Sequence, residues 1–169
     1  MNERKKVTRW WWAWDFEKEE RWLNEMAASG WVLDGVGFCT YHFMRSEPGE
    51  YVIRLEMRDA DEEYSRFMEE MGAEHVGNYF KWHYYRRKAE YGTFDLYSDI
   101  DSKLEHLSRI ARLIKIVGFA NIIVGVSNTF SLSNGLPIIN LLVGCVLMYG
   151  LGRIDGKADE LKNERDIHE

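Results

Sequence analysis

The sequence predicts an α+β domain followed by a helical hairpin that crosses a membrane. Three observations predict it. No charged side chain occurs between Lys115 and Arg153, in a chain whose composition is 30% charged. Tyr51 to Arg58 alternates apolar with polar residues, the period of a half-buried strand. Two stretches of helical period flank that strand, each followed by a glycine, Gly30 and Gly72, that can end a helix in the left-handed conformation.

Val7 to Trp14 opens the domain as a strand, because Trp10, Trp11, Trp12 and Trp14 suit a sheet and leave no helical period. On that strand Trp10, Trp12 and Trp14 share a face and Trp11 takes the other. Asp15 stands at an N-cap position, and Phe16, Trp22, Leu23, Met26 and Ala27 form the apolar face of the first helix. Trp31 to Arg45 holds a second strand, expected to start near Gly37. Glu47-Pro48-Gly49-Glu50 is turn chemistry, so Tyr51 to Arg58 returns as a hairpin with Tyr51, Ile53, Leu55 and Met57 inward. Asp59 to Glu62 has capping-box spacing ahead of a second helix through Tyr64, Phe67, Met68 and Met71. A last strand runs from about Tyr79 to Arg87. Arg21-Trp22-Leu23-Asn24-Glu25-Met26 echoes Arg66-Phe67-Met68-Glu69-Glu70-Met71, one in each helix. Together these give a ferredoxin-like βαββαβ sandwich over residues 1–88, with both helices on one face of a four-stranded antiparallel sheet.

Residues 89–98 read as a linker and 99–115 as a juxtamembrane amphipathic helix with Ile100, Leu104, Leu107, Ala111 and Ile114 along one stripe. Residues 116–152 form the hairpin, two apolar segments separated by Ser131-Leu132-Ser133-Asn134-Gly135. Each is near the lower end of the roughly 17–25 residues a crossing needs. Both faces of each segment are apolar, which argues against a surface helix of a soluble protein. Lys103, Arg109, Arg112 and Lys115 precede the hairpin and Arg153, Lys157, Lys162 and Arg165 follow it, whereas the turn has no basic residue. Both termini are therefore expected on the cytoplasmic side of the cell membrane, with Arg109, Arg112, Lys115 and Arg153 at the inner leaflet. Gly118, Asn121, Gly125 and Asn128 on the first segment, with Asn140 and Gly144 on the second, are the candidate packing residues, serving the hairpin itself or a homo-oligomer. Residues 153–169 are a polar cytoplasmic tail.

The chemistry is sparse. Cys39 and Cys145 read as two reduced thiols. The charged start from Met1 to Lys6 runs into Trp-rich sequence with no small-residue cleavage site, which reads against a signal peptide. His42, His75, His83, His106 and His168 show no metal-ligand spacing, and no catalytic residue, metal or cofactor is called for. One constellation remains open: His42 and His83 on neighbouring strands as an acid/base or ligand pair. A net charge of −6 counts against nucleic acid, despite the basic run Lys81, Arg86, Arg87 and Lys88. The aromatic load is the stronger clue. Trp10, Trp12 and Trp14 on the first strand, with Trp82 and Tyr84 on the last, are the candidate partner-binding face.

Trp22-Leu23-Asn24-Glu25-Met26-Ala27-Ala28-Ser29-Gly30-Trp31, the Trp-rich segment before it and the Tyr64 to Gly72 helix leading to a Tyr-rich strand resemble the bacterial family domain of unknown function 2812, over about residues 7–88. Members of that family commonly carry Gly-Trp after both helices, where this chain has Gly72-Ala73 the second time. The resemblance implies membrane helices after the domain and a PadR-type transcription regulator as partner, and it supplies no catalytic residues. The expectation is a membrane-anchored, cytoplasm-facing regulatory module that binds a protein partner through its aromatic face. The rival is a small membrane-associated enzyme or ligand-binding protein using the aromatic and histidine face.

Overall fold

The chain divides at Ser98. In the computed structural model, which describes residues 3–97, 99–129 and 136–168, one unit runs Met1–Ser98 and another Asp99–Glu169. The first is a mixed α+β unit. Its elements are β1 (Arg4–Thr8), α1 (Phe16–Ala28), β2 (Trp31–Gly37), β3 (Thr40–Arg45), β4 (Tyr51–Met57), α2 (Glu62–Glu70), β5 (Ala73–Tyr79) and β6 (Trp82–Lys88). They form two three-stranded antiparallel sheets, β1-β3-β2 and β4-β6-β5.

This corrects the expected four strands to six. Trp31 to Arg45 is a hairpin that turns at Phe38-Cys39, and the last expected strand is preceded by β5, with the turn at Phe80-Lys81. Each turn holds one non-glycine residue at positive φ, Cys39 at 50° and Phe80 at 55°. The partner pairs of the two hairpins recur at constant spacing: Trp31↔Arg45 and Gly37↔Thr40 reappear as Ala73↔Arg87 and Tyr79↔Trp82. A bulge recurs with them, between Leu33 and Gly35 and again between His75 and Gly77. The unit is thus a tandem βαββ repeat. In this frame Trp22 corresponds to Tyr64, since Trp22 packs on Phe43 and Tyr64 on Tyr85. Cation–π contacts repeat as well, Arg9 over Trp22 and Arg58 over Tyr64. The echo read from sequence sets the helices three residues out of that register.

The Trp segment departs from its expected strand for lack of a partner. β3 begins at Thr40, so the ladder with β1 ends at Thr8↔Thr40, and Arg9 adds a last bond to the Cys39 carbonyl. Ala13–Asp15 then forms a turn of 3-10 helix leading into α1. Asp15 makes no side-chain cap to α1 and pairs with Lys18 at 2.9 Å, whereas Asp61 caps α2 through the N–H groups of Glu63 and Tyr64. Gly30 and Gly72 follow the helices at φ 80° and 76°, the left-handed conformation that glycine takes without strain.

The core lies between α1 and the sheets, with Leu23, Val32, Leu33, Phe43, Ile53 and Leu55 at 1% exposure or less. A second cluster joins Met68, Ala73 and Tyr85 to Phe94. Phe94 belongs to the stretch expected to be a linker. Arg87 holds that stretch by donating to the carbonyls of Tyr91 and Thr93. β4 is an edge strand, yet its edge is covered by side chains of α1. Asn24 accepts from the Ile53 N–H and donates to the Ile53 carbonyl, both at 2.9 Å, as a neighbouring strand would, and Glu20 accepts from the Leu55 N–H.

In the second unit, α3 (Ile100–Thr129) and α4 (Leu136–His168) pack on one another. Asp99 caps α3 by accepting from the Ser102 N–H at 2.7 Å, and the juxtamembrane helix continues unbroken into the first apolar segment, as its sequence implies. The turn Ser131 to Gly135 lies outside the described residues. Glycines set the closest approach. A Cβ on Gly125 would stand 2.8 Å from Leu141 Cγ, one on Gly144 2.6 Å from Ile122 Cγ1, and one on Gly118 would collide with Met148. Asn121 donates to the Val117 carbonyl of its own helix, and Asn128 and Asn140 are half-buried. Both helices are long and apolar enough to cross a membrane, and only 22% of each apolar window is buried, so most of that surface faces outward. At the polar ends Arg165 pairs with Asp101 at 3.0 Å.

Two stability predictions follow from these contacts. Asn24→Ala strands a buried N–H and carbonyl and should cost about 2 kcal/mol. All seven tryptophans lie in the first unit, so intrinsic fluorescence during urea unfolding in detergent reads that loss directly. Gly144→Leu overpacks the helix contact and should cost about 1–3 kcal/mol, seen as earlier loss of helical circular dichroism, with the tryptophan transition unmoved.

Candidate functional site

Two features stand out from the packing: a buried polar junction and an exposed aromatic cluster. At the junction, Tyr41 Oη (β3) and Tyr84 Oη (β6) both donate to Glu19 Oε1 (α1), at 2.7 and 2.6 Å. One carboxylate thereby ties α1 to both sheets. Burial pushes the Glu19 carboxyl above its usual range, against the two hydroxyls that favour its charged form. The same burial, with the nearby carboxylate, pushes both tyrosine hydroxyls far up. Beside it, burial raises Glu20 to about 7, although Arg54 at 3.4 Å and the Leu55 N–H favour the anion. Glu19 is buried and accepts from a tyrosine of each sheet, so the junction is architectural.

The aromatic cluster sits at the hairpin tips. β2 lies against β5, with Val36 Cγ2 3.4 Å from a Cβ built on Gly77, so the two turns end side by side. Phe38 from the first tip packs on Tyr79 at 5.6 Å, Trp10 packs on Phe38 at 6.2 Å, and Trp12 packs on Trp10 at 5.5 Å. Phe38 is 65% exposed, Phe80 63% and Trp10 55%. Trp12 and Tyr79 are also exposed. Its polar neighbours include Lys81, paired with Asp59, Asn78, and Thr40, which donates to the Phe38 carbonyl.

The expected site residues divide between these features. Trp10 and Trp12 belong to the exposed cluster, but off any strand. Trp14 is buried, stacked on Trp12 at 4.8 Å. Trp82 is half-buried beside Phe16, and Tyr84 is buried on Glu19. The single face expected to carry all five is therefore not formed. Phe38 was missed, and Tyr79 and Phe80 were read as the start of the last strand, because the turns Phe38-Cys39 and Phe80-Lys81 lack the Asn-Gly chemistry that announces a hairpin. The recurring phenylalanine between two aromatic-rich runs was the available signal.

His42 and His83 do not meet. His42 is exposed on β3 opposite Lys6 and Gly35, in the other sheet from His83. His83 Nδ1 instead faces His75 Nε2 at 3.3 Å. Partial burial lowers both imidazoles, His75 further through His83 and His83 further through Arg58. Among the described residues no group of three or more His, Cys, Asp or Glu side chains is placed to hold a metal ion. Of the inner-leaflet candidates, Arg109 pairs with Glu105 at 2.9 Å, Arg112 and Lys115 are exposed, and Arg153 is half-buried.

A family model described as "Protein of unknown function (DUF2812)" matches residues 15–119. The chain belongs to the DUF2812 family. The match spans α1 to β6 and runs into the apolar part of α3, so the DUF2812 region includes Phe38, Tyr79 and Phe80 but not Trp10 or Trp12. No curated protein and no solved structure matches the chain.

The junction makes a pH prediction. Glu19 and Glu20 are both raised, so the folded unit holds protons that the unfolded chain releases above the ordinary carboxylate range. The contribution of these two carboxyls to stability is full below that range and is lost as pH rises toward about 7. Relative to Glu20→Gln, wild type should therefore lose roughly 1 kcal/mol of stability between pH 5 and 8 by urea unfolding, a comparison in which the opposite contribution of the lowered His75 and His83 cancels.

Proposed function

We propose that this chain is a membrane-anchored interaction module, facing the cytoplasm, that docks a protein partner through the aromatic cluster at its hairpin tips. The observation that carries the reading is the contiguous exposure of Trp10, Trp12, Phe38 and Tyr79, with exposed Phe80 next to Tyr79 in the second turn. Rigid aromatic side chains supply much of the binding energy at protein interfaces, and a patch of this kind on a monomer marks an interaction site. Anchoring is supported by the two long apolar helices with outward-facing surface. We take them as a two-pass hairpin with both termini cytoplasmic, on the basic residues that flank it.

For the architecture we retain a ferredoxin-like sandwich in widened form, two βαββ halves in place of two βαβ halves. For the partner we retain a PadR-type transcription regulator, which the family resemblance suggests, ahead of another membrane protein or a second copy of this chain. Held at the inner leaflet, such a regulator would be withheld from DNA and released when assembly of the hairpin changes.

The test is purification in mild detergent of wild type and of Trp10→Ser/Phe38→Ser/Phe80→Ser, with reporter fusions at each terminus. The expected result is a stoichiometric partner bound at least about a hundredfold more weakly by the triple variant, with tryptophan fluorescence unfolding at the same urea concentration. Retention of the partner by the folded triple variant, or a wild type that purifies alone, overturns the docking reading. Reporters placing a terminus outside the cytoplasm overturn the anchoring.

A further inference from the structure

We propose that His75 and His83 form a two-imidazole chelate for a divalent transition ion of the zinc and copper class. The proposal stands on the β5–β6 hairpin alone and is independent of the docking surface. Its first support is distance. Two nitrogen ligands at about 2.0–2.1 Å from a tetrahedral ion stand about 3.3–3.4 Å apart, and His83 Nδ1 lies 3.3 Å from His75 Nε2, joined to it by an N–H···N hydrogen bond that an ion would replace.

Its second support is orientation. Both rings lie against Tyr85, His75 at 5.3 Å between centroids and His83 at 6.5 Å and 17°, and Tyr85 is itself 1% exposed. His83 is also hydrogen-bonded to the backbone of Arg58. A ligand imidazole held through its other contacts is the usual supporting arrangement at metal sites. The bulge between His75 and Gly77 inserts a residue into β5 at this point, and Asn78, opposite His83, turns toward the Phe80 carbonyl. Bulges re-aim side chains in this way beside functional sites.

The third support is internal to the repeat. In the first half the positions of His75 and His83 are taken by Leu33 and Tyr41, both buried, at the same bulge and in the same register. The frame therefore accepts apolar packing here, and nothing in its geometry requires two imidazoles. In the second half His75 is exposed and His83 half-buried, so an ion has access. Glu69 is near enough to act on His75 as an anionic neighbour. Arg58, whose charge acts on His83, is occupied over the Tyr64 ring and by Glu56 and Asp61. With two protein ligands, the remaining coordination positions stay open to water or to a carboxylate or thiolate from outside.

The test uses full-length, tag-free protein in detergent, titrated calorimetrically with copper(II), nickel(II), zinc(II) and magnesium(II), each metal alone. The expected result is one ion per chain with copper bound most tightly, nickel and zinc next, and magnesium not at all. Affinity should fall about tenfold or more in His75→Gln and in His83→Gln and stay unchanged in His42→Gln. The copper electron paramagnetic resonance spectrum of wild type should carry coupling from imidazole nitrogens, a readout that does not depend on the variants folding. Absence of that coupling overturns the proposal. So does equal affinity in wild type and the folded variants, or an equal loss in His42→Gln.

Discussion

One stretch of α1 holds the first unit together, and it does so with polar side chains. Glu19, Glu20 and Asn24 project toward the sheets, and between them they satisfy two tyrosine hydroxyls, two backbone N–H groups and a carbonyl. Each of those groups would otherwise be buried or stranded at a sheet edge, at about 1–3 kcal/mol apiece. The arrangement is possible because a helix turns residues four apart, such as Glu20 and Asn24, onto one face, where they reach the alternate residues Leu55 and Ile53 of β4. Two consequences follow. The β4 edge is closed to strand addition, and the second half cannot be removed from the first without exposing a carboxylate and two hydroxyls.

That junction also explains where the aromatic cluster lies. Tyr41 and Tyr84 come from equivalent hairpins, so a single acceptor for both brings the hairpins together, and β2 settles beside β5. Arg86 reinforces the contact by donating to the Leu33 carbonyl at 2.9 Å within the bulge of β2. Once the hairpins are level, their tips must be neighbours, and Phe38 meets Tyr79. The exposed cluster is therefore an outcome of the buried one. Covering it would require a further element, and the Trp segment only borders it, with Trp10 against Phe38.

The sequence was most legible where one physical rule acted alone. The charge-free interval gave the apolar helices, alternation gave β4, and a glycine after an apolar helical face gave the ends of α1 and α2. It was least legible where strands are made by pairing. β1 is Arg-Lys-Lys-Val-Thr and β5 is Ala-Glu-His-Val-Gly-Asn-Tyr, both too polar to announce a strand, and each exists because β3 or β6 offers a ladder. The reverse error fell on Trp10 to Trp14, where strand-forming residues have no strand to pair with. Their aromaticity made them look like a sheet face because strand propensity is largely a statement about packing on neighbours. The tyrosine–glutamate junction was hidden for a similar reason. Glu19 sits among Glu17, Lys18 and Glu20, and nothing local distinguishes the carboxylate that turns onto the two tyrosines.

The two units face different solvents in this reading, and their contacts differ accordingly. In the first, burial of aromatic and aliphatic side chains carries the stability, and polar groups inside must be matched one for one. Between α3 and α4 an apolar surrounding would give no hydrophobic preference for helix contact over lipid, so close approach has to supply the attraction. Gly118, Gly125 and Gly144 permit that approach, and Ile116, Phe119 and Ile123 are left outward as a lipid-facing surface would be. The exposed aromatic cluster fits the same scheme. Free in solution, five exposed rings invite self-association, whereas on a tethered domain they meet a partner confined to the same surface at a high effective concentration. Under the proposed function, anchoring and docking would be one device: an anchored hairpin would limit where the cluster can be, and that limit would let a patch of modest size act selectively.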